Sequence, residues 1–260
     1  MPNFRLVILD YPKIQLNKLP VQQTLSDLIV IKQKNFERTD PNYVVMDKHD
    51  MIGTHFMVYE ISDLFSPQLI FALRVTYEDR AAEHKLKTPL QDLIVRLDEP
   101  HQNHYNKFKH KHGPLVDCNS WFVDQNFSLK ESGLKLSDIG YTMVYLHIKR
   151  LGFNHIAGCT NERYKASRWL NNIGTYDNSF QFVHPVVPDP HLLILIENFK
   201  LDYIQSVYQN HLNLFENLYD LSSESSNLKS IKQTGLEIFK NLKATENLTV
   251  FYSDRVNKAG

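Results

Sequence analysis

Cysteine is scarce in this chain. Cys118 and Cys159 are its two, too few for a disulfide framework, so a reducing compartment, the cytoplasm, is the expected setting. An excess of charge of one sign is missing too. Lysine plus arginine number 29 and aspartate plus glutamate 29, which leaves no overall field to attract nucleic acid or an anionic membrane. Long hydrophobic runs are absent. Stretches such as Leu192 to Ile196 fall far short of the about 20 residues that a membrane-spanning helix takes, so no integral membrane segment is expected. The first residues, Met1 to Asp10, lack the charged-then-apolar order of a secretory leader. The sequons at Asn126 and Asn247 therefore read as chance matches.

What is present suits a large core. Apolar residues make up 42% of 260, enough for one large domain, with or without an appendage. Short apolar or alternating runs predict strands at Phe4–Leu9, Thr54–Ile61, Leu69–Thr76, about 115–127, Phe153–Thr160, Phe180–Val187 and His191–Ile196. Helical spacing predicts helices at about 22–38, from Ser137 to Gly152, and from Glu162 to Ile173. The order predicts an α+β fold over residues 1–200 with a mixed sheet. Residues 201–260 read as a helical C-terminal extension, with one amphipathic helix from Leu201 to Tyr219 and a second near Leu228 to Leu242. The polar stretch from Glu78 to Pro114 reads as irregular apart from a helix near Leu90 to Arg96.

That stretch holds His101, His104, His110 and His112 at spacings able to chelate. No cysteine or carboxylate set completes a zinc pattern, so the expectation is a hydrophilic loop and no metal. Its lysines, Lys107 to Lys111, offer a basic surface to an acidic carrier protein.

The segment from Asp138 to Tyr176 runs helix, Leu151-Gly152-Phe153 turn, strand ending at Thr160-Asn161, then Ala166, Trp169, Leu170 and Gly174. It resembles the GNAT superfamily pattern in which K-x-x-G precedes a strand and then A-x-x-L-Y-x-K-x-G-F. Ala166, Trp169 and Gly174 keep that spacing. Leu170 stands at the tyrosine place, Thr175 at the phenylalanine place, and Asn161 lies two residues earlier than the usual asparagine. The N-terminal half is similar to the acyl-homoserine lactone and N-acyl amino acid synthases within that superfamily. Lys32 and Phe36 match their basic-x-x-x-Phe, and Asp47-Lys48-His49-Asp50 their D-x-x-D. The two strands ending in Arg74 match their hairpin. Asp117 to Val123 falls where they carry W-E-x-S-R-F-V, with Cys118 in place of the glutamate and Trp121 in place of the arginine. The similarity covers about residues 20–197.

The resemblance implies a GNAT-like, mostly antiparallel sheet with splayed middle strands flanked by helices. It implies transfer of an acyl group from acyl-CoA or an acyl carrier protein (both co-substrates, with no tightly bound cofactor) to a small-molecule amine, by a monomer or homodimer. Phe122 and Val123 would lie on the strand that offers free backbone groups to the pantetheine arm, and Asn161 on its diverging neighbour. Lys130, Gly133, Lys135 and Gly140, around the opening of the helix near Ser137, would hold the phosphate end, where free N–H groups favour anions. Lys32, Phe36, Asp47, Asp50 and Arg74 would form the acceptor side. The arginine suits a two-pronged grip on a carboxylate, and the aspartates either hold the acceptor's ammonium or brace Arg74. For proton transfer the candidates are Asp117, Cys118, His55, the 101–112 loop or a water chain. Tyr164 is the candidate for the hydroxyl lost at Leu170. Cys118 is either a nucleophile or a buried structural thiol, and Met57, Phe71, Trp121, Phe122 and Phe182 either line an acyl pocket or are core. Two other readings stand beside the enzyme: a catalytically inactive GNAT-fold sensor, and an acetyltransferase acting on proteins.

Overall fold

The computed structural model describes residues 3–36, 44–61, 67–124, 126–127, 133–222 and 230–239. It opens with strand β1 (Asn3–Asp10), helices α1 (Leu19–Phe36) and α2 (Lys48–Ile52), then strands β2 (Thr54–Ile61) and β3 (Gln68–Tyr77). Three helices follow, α3 (Glu78–Glu83), α4 (Pro89–Ile94) and α5 (Glu99–His112), before β4 (Val116–Val123). Next come α6 (Leu136–Arg150), β5 (Ile156–Asn161), α7 (Ser167–Ile173), β6 (Gly174–Thr175), β7 (Gln181–Val183), β8 (Pro190–Ile196) and β9 (Asn198–Phe199). The chain continues through α8 (Leu201–Asn210), α9 (Leu212–Glu216), β10 (Tyr219–Leu221) and a helix over 231–239. None of the described helices is long and apolar enough to cross a membrane.

Eight strands form one sheet in the order β10-β1-β2-β3-β4-β5-β8-β7, and β6 pairs separately with β9. Within the large sheet β1–β10 and β4–β5 are parallel; the other pairs are antiparallel. Both faces are covered, which is why β3 reads as a nearly unbroken apolar run and is buried from Leu69 to Tyr77. Phe71, Leu73, Val75 and Tyr77 turn to the face covered by α6, while Ala72 joins Val21, Leu25 and Leu28 of α1 on the other. A third apolar cluster lies under α4 and α5, around Leu90, Leu93, Leu193 and Leu195.

The sheet opens in its middle. β4 and β5 are paired only at Asp117↔Ala157 and Cys118↔Gly158, after which they separate, while β5 stays paired to β8 through Asn161↔His191. Two local features produce the split. At Gly158 a Cβ would stand 2.5 Å from the carbonyl oxygen of Cys118, so only glycine permits the last contact. Two residues further on, β4 bulges against β3: Arg74 pairs with Asn119 and Ala72 with Phe122, leaving an extra residue on β4. Ser120 carries the kink in the left-handed region at φ 54°.

In the stretch from Glu78 to Pro114 helix α4 falls where a helix near Leu90 to Arg96 is expected, while α3 and α5 replace expected irregular structure; α4 and α5 begin at side-chain caps and α3 has none. Thr88 and Gln91 form a reciprocal capping box at α4, Asp98 accepts the His101 N–H at α5, and Gly113 ends α5 at φ 76°. Pro89 and Pro100 sit in first turns, where no N–H is missed. The C-terminal segment also differs. The expected long helix is divided at His211 into α8 and α9, and β10 then joins the sheet beside β1.

Candidate active site

Three neighbouring strands present a polar row on the face of the sheet covered by α1 and α2. His55 of β2 lies opposite Arg74 of β3, and Arg74 opposite Asn119 of β4. Helix α1 adds Lys32 above the row, and the first turn of α2 adds Asp47 and Asp50. Those two carboxylates cap α2 reciprocally. Asp50 N–H donates to Asp47 Oδ1 at 3.0 Å, and Asp47 N–H to Asp50 Oδ2 at 2.8 Å. The cap leaves Asp50 Oδ1 for the cluster, while Asp47 Oδ1 serves both the cap and Arg74.

Arg74 Nη1 donates to Asp47 Oδ1 and Asp50 Oδ1, each at 2.7 Å, and Nε donates to Asn119 Oδ1 at 2.6 Å. Lys32 Nζ donates to Asp50 Oδ1 as well. Asn119 is held in turn by donating to Thr76 Oγ1 and to the Asp117 carbonyl. Behind the row, His55 Nε2 donates to the Asp50 carbonyl at 2.8 Å. Lys32, Asp50 and Arg74 are all at least nine-tenths withdrawn from water, whereas the Asp47 side chain is 38% exposed. Burial works against both carboxylates, but opposing charge wins. Arg74, with His55 and Lys32, holds Asp50 below the usual carboxylate range, and His49 and Arg74 do the same for Asp47. Burial lowers Lys32 and takes His55 down to about 4, so the imidazole is neutral at physiological pH.

The neighbouring cleft between β4 and β5 holds a cavity of about 20 Å³ lined by Cys118, Tyr141, Gly158, Cys159, Thr160 and Leu170, among others. Cys118 packs toward the α6 core, and burial, then Asp117, pushes its thiol upward. Asp117 turns away from the cleft. It is buried, accepts the Leu90 N–H at the start of α4 at 2.8 Å, and burial raises its carboxyl. Trp121 lies edge-on to Tyr141, ring centroids 6.2 Å apart, with its buried Nε1 unpartnered among the described residues.

The expected phosphate-end residues divide. Gly133 takes φ 67° in the loop before α6, and Lys135 is that helix's N-cap residue, without a side-chain cap. Gly140 lies inside α6, where a Cβ would stand 2.3 Å from the Phe71 ring, so its missing side chain makes room for core packing. Asp138, in the first turn of α6, accepts from Tyr203 Oη at 2.6 Å. Asn161 shapes the turn after β5, accepting the Arg163 N–H and donating to Asp189. Lys130 and the side chains of Phe36 and Tyr164 lie outside the described residues.

The five apolar candidates do not share one cavity. Met57 and Phe122 belong to the core under α1, Phe71 and Trp121 to the core under α6, and Phe182 to the third cluster. On α5, Lys109 pairs with Glu78, and Lys111 and His112 with Glu197, so much of the basic stretch is neutralised within the chain. His104 stacks on Phe180 at 3.8 Å. Sequence reading passed over Asn119 and Tyr141. The two-residue alternation from Asp117 would have placed Asn119 on the Arg74 face, whereas nothing local sets Tyr141 apart from a core aromatic.

No family model matches this sequence, and no curated protein matches it. Among solved structures the fold does have counterparts. FeeM, an N-acyl amino acid synthase from uncultured soil microbes, superposes with a TM-score of 0.50 at 10% identity, over 79% of this chain and 96% of that one. BjaI, a CoA-dependent acyl-homoserine lactone synthase solved with SAM and isopentyl-CoA, gives 0.53 at 7% identity, over 90% and 100%. The fold of this chain is therefore the GNAT-like fold of these synthases, a mostly antiparallel sheet opened between its middle strands.

Proposed function

We propose that this chain is an N-acyltransferase. It moves an acyl group from a thioester, of coenzyme A or of an acyl carrier protein, to the amine of an amino acid or similar small molecule. The observation that carries this reading is the adjacency of the β4–β5 split to the Lys32–Asp47–Asp50–Arg74 cluster through one residue, Asn119. Beyond Cys118 the described residues of β4 and β5 are no longer paired with each other, so the cleft that opens there can admit an extended pantetheine-like arm alongside β4 and hold a thioester between the two strands. A polar cluster one residue away is placed to receive the amine. Asp47 is its partly exposed member and the natural counter-ion for an ammonium. Arg74 has Nε and Nη1 engaged by the protein, so its role is to brace the aspartates. FeeM, an N-acyl amino acid synthase, and BjaI, an acyl-homoserine lactone synthase, fall in the same reaction class. A soluble cytoplasmic monomer or homodimer suits such chemistry.

One observation favours a second reading. Among the described residues the small cavity is lined by no carboxylate or histidine, and Cys118 there is an upward-shifted thiol, as a protein that binds acyl thioesters without turning them over would have.

Mass spectrometry of lipid extracts separates the two. Cells overproducing the chain are compared with cells producing Asp47→Asn and with an empty vector. A new N-acyl product that falls away in the variant supports the enzyme. Extracts matching the vector, with purified chain still binding acyl coenzyme A, support the sensor.

A further inference from the structure

A thioester held between β4 and β5 has to place its acyl tail somewhere, and the room there is small. Where the two strands last pair, the cavity between them measures about 20 Å³, space for about one group the size of a water molecule or a methyl. Its walls are largely hydrocarbon: Ile156 and Ile194 from the sheet, Leu170 from α7 and Tyr141 from α6. All four are buried and belong to the single apolar cluster under α6. Close-packed side chains of this kind do not part for an extra methylene without strain. The cavity has no continuation under α6 either. At Gly140, one residue before Tyr141, the Phe71 ring already occupies the place of a side chain, 2.3 Å from where a Cβ would stand. At the other end Gly158 closes against the Cys118 carbonyl, where a Cβ would stand 2.5 Å away.

Resting on the acyltransferase reading, we propose that the donor carries a very short acyl group, acetyl or propionyl, and that Leu170, Tyr141 and Ile194 set this limit. The carbonyl stays between the strands and the terminal methyl fills the cavity. A longer tail meets Leu170 and Tyr141 and holds the thioester back toward the mouth of the cleft, away from the amine side at Asn119. The transfer itself balances as amine plus thioester giving amide plus thiol. The C–N bond forms, the C–S bond breaks with its electron pair going to sulfur, and the proton shed by nitrogen reaches the sulfur through water. The size limit acts on the acyl end alone, so it holds whether the thioester is carried by coenzyme A or by a carrier protein.

The test is a series of straight-chain donors from acetyl to decanoyl, presented as coenzyme A esters and on an acyl carrier protein. An equimolar amino acid mixture is the acceptor, and the amide formed by purified protein is read by mass spectrometry. The expected kcat/KM is highest for acetyl or propionyl and falls by about 10-fold or more with each further methylene. Leu170→Ala takes away most of one wall, so its optimum moves to butyryl or hexanoyl. A thermal melt accompanies that variant. If it does not fold, Ile194→Val, which removes one methyl group, is expected to raise the butyryl-to-acetyl ratio by about 10-fold. A wild-type optimum at octanoyl or decanoyl, or folded variants with the parent's profile, overturns the size limit and leaves acyl transfer standing. A wild type that turns over no donor overturns the acyltransferase reading, and binding calorimetry then decides the size limit. Acetyl coenzyme A binding more tightly than octanoyl coenzyme A upholds the limit, and the reverse order overturns it.

Discussion

The Arg74 guanidinium and the Asp50 carboxylate meet at 2.7 Å with side-chain exposures of 5% and 1%. Charges so far from water are stable only together: removing one partner of a buried pair costs about 3–5 kcal/mol, because the other is left uncompensated. Arg74→Ala is therefore expected to lower the urea unfolding free energy by that amount. Arg74→Lys recovers little, since one ammonium cannot reproduce the geometry that spans Asp47, Asp50 and Asn119. A variant as stable as the parent would contradict this account of the cluster.

Acid should weaken the fold well above the carboxylate range. His55 and His147 are buried, and burial brings their pKa values from 6.5 down to about 4 and about 3. The unfolded chain binds these protons first, so the stability they contribute is whole above pH 6.5 and is lost as pH falls toward the folded values. At pH 5 the loss is about 2 kcal/mol for each. Asp47 and Asp50, shifted downward, add their losses only below about pH 4. Asp27 and Asp117, shifted upward by burial, act in the opposite sense. The clean comparison is urea midpoints at pH 7.5 and 5 for the parent and His147→Phe, whose aromatic neighbours Phe56 and Tyr77 accept a phenyl ring. The variant should show the shallower decline.

Gly140→Ala drives a methyl group into the Phe71 ring and is expected to cost about 1–3 kcal/mol, the usual range for overpacking. Phe71→Leu added to it should recover part of that loss, because the ring is the obstacle. A double-mutant cycle by thermal melting measures the coupling, and strictly additive effects would rule out the clash.

Ser120 holds the bulge at φ 54°. A β-branched residue tolerates that conformation poorly, so Ser120→Val should destabilise the fold by about 1–3 kcal/mol and reduce product formation. Ser120→Gly, free of that strain, should keep both. Circular dichroism melts and the product assay, run side by side, check this pair.

Much of the architecture is legible before any coordinates, because each central strand is a short apolar run bounded by polar residues and the spacing after Ser137 is plainly helical. Lys32, Asp47, Asp50 and Arg74 can each be picked out by type and position, although no local pattern says that they share one set of hydrogen bonds. Of the helices between Glu78 and Pro114 only α4 is legible; α3 is a six-residue, mostly charged run, and α5 hides because Asn, Lys and His fill it and only the cap at Asp98 betrays it. Asn119 and Tyr141 are harder still. One depends on a cross-strand register and the other on how α6 lies across the sheet, and both are tertiary facts.

The parallel pairing of Val7 with Tyr219 and Leu9 with Leu221 joins the first strand to a segment some two hundred residues later, and Arg150 reinforces it through Asp220. During synthesis β1 must therefore wait with one edge bare until residues 219–221 have emerged. A long-range closure of this kind is slow to form, and an open strand edge is a template for other chains. Ribosome-bound chains that stop short of Tyr219 should be the ones that most need a chaperone.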